Sequence, residues 1–101
     1  MDALKTINIT FNNAKRQADR LNDCALQMQK LQSRLDALGG DLQRSWSGDA
    51  ANAFLAKCSA LRDKINSTAA DINKVSSTLR AAANIYYNAE MKALEIANTR
   101  E

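Results

Sequence analysis

The sequence has no proline and no histidine, only three glycines and a single tryptophan. With no proline to remove an amide and little glycine to supply turns, the chain is biased toward long uninterrupted helices over a strand-and-turn fold. Without histidine the usual general base and the commonest metal ligand are missing. Two distant cysteines and scattered carboxylates make neither a triad nor a metal cage, so no enzyme activity, catalytic residue, metal or cofactor is expected. Gly39-Gly40 lacks the spacing and the lysine of a phosphate-binding loop. No window approaches the roughly 18 apolar residues a spanning helix needs, so direct membrane insertion is not expected. The formal net charge of +3 comes from bases interleaved with acids, with no basic stripe or aromatic interleaving that would point to nucleic acid.

The amino terminus shows no basic stretch followed by an apolar core and a small-residue cleavage site. The expectation is therefore synthesis in the cytoplasm and, if the protein is exported, a route that reads a folded or carboxyl-terminal signal rather than a cleavable leader.

What the chain does have is periodicity. Thr6-Ile7-Asn8-Ile9 alternates polar with β-branched residues and predicts an extended lead-in, with Thr10 as a helix cap. From there apolar residues recur at Phe11, Ala14, Ala18, Leu21, Ala25, Met28, Leu31, Leu35, Leu38 and Leu42, predicting a first helix over about 10–42. Two successive steps of three at Ala25-Met28-Leu31 break the heptad and predict a local change of twist. Gly39-Gly40 predicts fraying or an end between Gly39 and Arg44.

Ser45-Trp46-Ser47-Gly48-Asp49 then reads as a turn over 45–49, with Ser47 or Asp49 suited to cap a second helix. That helix, over about 49–98, has a seam of Phe54, Cys58, Leu61, Ile65, Thr68, Ile72, Val75, Leu79, Ala82, Tyr86, Ala89, Ala93 and Ile96, alternating steps of four and three. The prediction is an all-α, single helical-hairpin domain over 1–101, its packing seam carried by Leu21, Met28, Leu35, Phe54, Leu61, Ile65, Ile72, Val75 and Leu79.

Counting symmetrically from the bend leaves an overhang from about Ala83 onward. Cys24 and Cys58 would be offset by ~15 Å of helix rise, beyond the ~7 Å Cα limit for a bridge, so two reduced thiols are expected. A small chain buries proportionally little surface. Leu26, Leu55, Ile85, Met91 and Leu94 fall off the seam, which two hairpins paired into a four-helix bundle dimer would cover.

Trp46-Ser47-Gly48 near mid-chain, the Asp49-Ala50-Ala51-Asn52-Ala53-Phe54 run after it and the two flanking helices resemble the WXG family of small early-secreted-antigen-like (Esx) proteins. These are substrates of the type VII secretion system of Gram-positive bacteria and mycobacteria. The resemblance covers essentially the whole chain. It implies a helical hairpin whose turn motif is Trp46 and Gly48, and a homodimer or a heterodimer with a related WXG-like protein. It also implies a carboxyl-terminal export signal of Tyr, three residues, then Asp or Glu, which Tyr86 and Glu90 fit. Four residues apart on a helix, the two side chains project from one face, where the type VII secretion ATPase would read them. The overhang would leave that face free of the first helix. A second reading makes the protein a cytosolic adaptor for the helical amino-terminal domain of a larger type VII secreted toxin.

Overall fold

The computed structural model describes residues 2–99. It is a helical hairpin of two helices, α1 (Ala3–Ser45) and α2 (Asp49–Thr99), with no strand among the described residues.

Helix α1 begins at Ala3, not near Thr10, and the reason lies at Asp2. Its carboxylate Oδ1 accepts the Leu4 amide at 3.1 Å and its carbonyl accepts the Thr6 amide at 3.2 Å, an N-cap eight residues ahead of the expected one. The β-branched residues that suggested an extended segment cost a helix only a few tenths of a kcal/mol each. Burying Ile7, 5% exposed, offsets that cost. Nor does α1 end at the glycine pair. It runs through Gly39 and Gly40 to Ser45, whose hydroxyl donates to the Asp41 carbonyl while the Trp46 amide donates to that of Leu42.

Trp46, Ser47 and Gly48 make the reversal. Gly48 has φ of 106°, a region that an L side chain rarely adopts, and its carbonyl accepts the Asn52 amide at 3.0 Å. Gly48 itself is thus the N-cap of α2, where Ser47 or Asp49 was expected; Asp49 sits in the first turn, where its charge suits the positive helix end.

The inward-facing positions of both helices follow unbroken heptads. On α1 they are Ile7, Phe11, Ala14, Ala18, Leu21, Ala25, Met28, Gln32, Leu35, Gly39 and Leu42, all buried or half-buried. The expected phase break at Leu31 disappears because Gln32 takes the inward place and Leu31 and Leu38 stay exposed. On α2 the inward row is Ala51, Leu55, Cys58, Arg62, Ile65, Ala69, Ile72, Ser76, Leu79 and Ala83.

The chain divides into two compact units. The terminal unit comprises residues up to Asn22 and those from Lys74 onward; the bend unit is Asp23–Asn73. In the terminal unit the buried Ser76 hydroxyl donates to the Ala18 carbonyl at 2.9 Å, Arg80 pairs with Asp19, and the Phe11 and Tyr87 rings lie 4.8 Å apart between centroids. In the bend unit Ala25, Ala51 and Ala69 are buried, Gly39 faces Leu55, and Arg62 reaches across to Asp36 at 3.3 Å. The largest fully buried side chain is that of Ser76, because two helices alone cannot surround a leucine.

Candidate functional site

The seam residues named from the sequence fall into two groups. Leu21, Met28, Leu35, Ile65, Ile72 and Leu79 are half-buried on the inward rows. Phe54, Leu61 and Val75 are not on the inward row and are 44%, 51% and 56% exposed. The inward row of α2 takes the next residue at alternate positions: Arg62 for Leu61, Ala69 for Thr68, Ser76 for Val75 and Ala83 for Ala82. Small side chains let two helices approach closely, and the Ser76 hydroxyl gains a carbonyl partner there. Hydrophobicity alone selects the larger neighbour, which ends up outward. Leu55, Met91 and Leu94, expected off the seam, are half-buried, whereas Leu26 and Ile85 do remain exposed.

This rotation builds an apolar face in the bend unit. Leu31, Leu38 and Leu61, with Arg34 and the edges of Leu35 and Ile65, line a shallow groove. Phe54 is seven residues before Leu61 and so lies on the same side of α2. Trp46 joins it: the indole centroid is 5.9 Å from that of Phe54, and the tryptophan is 43% exposed. A second groove of the bend unit is polar, holding Asp36, Gln43, Asn52, Ser59 and Arg62 beside the glycine pair. Hydrogen bonds to Asp63 first and to Asp36 second raise the Arg62 pKa above its ordinary value. Cys24 is exposed and Cys58 half-buried, both as free thiols.

In the terminal unit Tyr86 is half-buried and Glu90 exposed, on consecutive turns of α2. The expected overhang from about Ala83 is corrected by the early start of α1. Ala83 is buried, the Tyr87 ring packs at a tilt against Phe11, and Leu4 shares a groove with Met91 and Leu94. The segment carrying Tyr86 and Glu90 is therefore packed alongside α1. Sequence reasoning missed Asp2, Ser76 and Arg62, all polar, because an apolar period cannot register a polar side chain in an inward position. An Asp immediately before a helical stretch was the one signal available for the cap.

The family model of proteins of 100 residues with WXG (WXG100) matches residues 6–91, an interval that contains the bend, the apolar groove and both Tyr86 and Glu90. The chain belongs to the WXG100 family. No curated protein and no solved structure matches it. WXG100 membership points to a small type VII secreted protein from a non-enzymatic helical family whose members pair with related partners. Among the described residues, no helix is long and apolar enough to cross a membrane.

Proposed function

We propose that this WXG100 protein is exported by a type VII (Esx) secretion system and acts by packing its apolar helix faces against a second hairpin, its own or that of a related protein. The observation that carries this reading is the family match over 6–91, which takes in Trp46, Gly48, Tyr86 and Glu90 together.

The surface supports the packing part. At 11.1 kDa a folded monomer exposes ~5,700 Å², and this chain exposes 7527 Å², about a third more. The excess exceeds the ~800 Å² that each partner contributes to a standard interface. Eleven large hydrophobic side chains are among the exposed residues, so a hairpin that stays alone forgoes their burial.

Export is assigned to Tyr86 and Glu90, read from one face of α2 by the secretion ATPase. Tyr86 is half-buried and Glu90 exposed, which leaves part of the tyrosine and the carboxylate open to a receptor. Secretion of single variants tests this. Tyr86→Ala and Glu90→Ala are each expected to abolish export with helical content unchanged, and Tyr87→Ala to lower stability while leaving export in place. Wild-type secretion of Tyr86→Ala and Glu90→Ala would remove the assignment.

A further inference from the structure

The bend unit carries six acids and six bases, and they are not evenly placed. Asp36, Arg62 and Asp63 satisfy one another, and Asp41 is engaged by Arg44. Around the apolar groove the pattern differs. Arg34 lies between Leu31 and Leu38, three residues after one and four before the other, while Lys57 and Lys64 stand four before and three after Leu61. At those spacings each base shares the face of the leucine it flanks. All three are exposed, and no ion pair reaches any of them among the described residues. Asp71 is the acid that continues the row of Lys57 and Lys64, beyond Ile65.

We propose that this groove takes an amphipathic helix whose apolar stripe is bordered by acidic residues, in preference to a second copy of this chain. A second copy would bring three unpaired cations against three. A partner with carboxylates beside its stripe would bury the same leucines and neutralise the rim, and complementary rims raise the rate of encounter and suppress wrong pairings. The proposal rests on the helix-packing reading above and adds the charge of the partner.

The test uses the full chain and, as the partner probe, a full-length copy carrying Arg34→Glu, Lys57→Glu and Lys64→Glu. This probe has the same apolar stripe with an acidic rim, on exposed positions that leave the hairpin able to fold. Association is measured by sedimentation for each protein alone and for the mixture, at low and high salt. The mixed pair is expected to form with a Kd at least ~10-fold below that of either protein alone at low salt, with most of the advantage lost at high salt. If the unaltered chain pairs with itself as tightly as with the probe, the charge preference falls while the packing reading stands. A mixture that forms equally well when both proteins carry Leu61→Asp places the interface elsewhere and overturns the proposal. If no combination associates at any salt, the proposal and the packing reading fail together.

Discussion

The two units of the hairpin use similar residues for different ends. The terminal unit joins its helices through individual contacts: a buried hydroxyl-to-carbonyl bond, an ion pair and a ring pair. Its exposed large hydrophobics on α2, Val75, Ile85 and Ile96, are ten and eleven residues apart, so successive members stand ~15 Å or more from one another along the helix. In the bend unit exposed ones recur at seven, Leu31 with Leu38 and Phe54 with Leu61, and Leu31, Leu38 and Leu61 line one groove. Scattered apolar residues on a surface are ordinary. Apolar residues in register on two adjacent helices make a stripe that another helix can cover. The difference teaches that stability within the hairpin and recognition outside it are concentrated in different places.

The sharpest way to break that contrast is to place a charge in the stripe. Leu38→Asp with Leu61→Asp is expected to weaken association with the charge-reversed copy by at least ~100-fold, equivalent to ~2.7 kcal/mol. The folded hairpin should hardly notice, because substitutions at such exposed positions usually move stability by no more than ~0.5 kcal/mol. Sedimentation reads the first quantity and urea unfolding followed by circular dichroism the second. Comparable losses in both would show that the stripe holds the hairpin together and would erase the division of labour.

The reciprocal change is Phe11→Ala in the terminal unit. Removing a half-buried ring that packs against Tyr87 is expected to cost ~2–3 kcal/mol in unfolding free energy, while association through the bend unit persists once the chain is folded. A stability loss no larger than that of an exposed residue would mean the ring pair contributes little.

The glycines test the same division within the bend unit, with opposite signs. Gly48→Ala forces a Cβ onto φ of 106° and is expected to destabilise by ~1–2 kcal/mol. Gly40→Ala meets no atom within 4 Å and replaces a poor helix former with the best one, so it is expected to stabilise by ~0.5–1 kcal/mol. Thermal unfolding of the two variants should shift in opposite directions. A loss at Gly40 would indicate that the glycine is kept for close approach of a partner's backbone.

Much of this was legible before any coordinates. Spacing of apolar residues located both helices, and Trp46-Ser47-Gly48 located the bend, because reversal needs a residue able to adopt positive φ and Gly48 is that residue. The rotation of α2 was not legible. Leu61 and Arg62, or Val75 and Ser76, are adjacent, and a period of three and a half residues tolerates either member of the pair. The choice is made by how closely the helices can approach and by which polar group finds a partner, quantities set across the hairpin and not along the chain. The same blindness hid the groove, since its leucines had been assigned to the inside. The family match strengthened the reading of the bend without correcting the rotation.

Ser76 isolates that cause in a single side chain. Its hydroxyl is 1% exposed and donates to the Ala18 carbonyl, which lies in the middle of α1. Ser76→Ala removes the donor but leaves that carbonyl its intrahelical partner, so no buried group is orphaned and the expected loss is ~1 kcal/mol. Ser76→Val removes the same donor and adds two methyl groups at a site with no room, so its loss should exceed that of alanine by the ~1–3 kcal/mol typical of overpacking. If alanine is neutral and valine costly, smallness alone turns α2 so that Val75 faces outward. If alanine already costs the ~1 kcal/mol of a hydrogen bond, the hydroxyl shares in setting that rotation, and a polar residue helps decide which apolar face a partner meets.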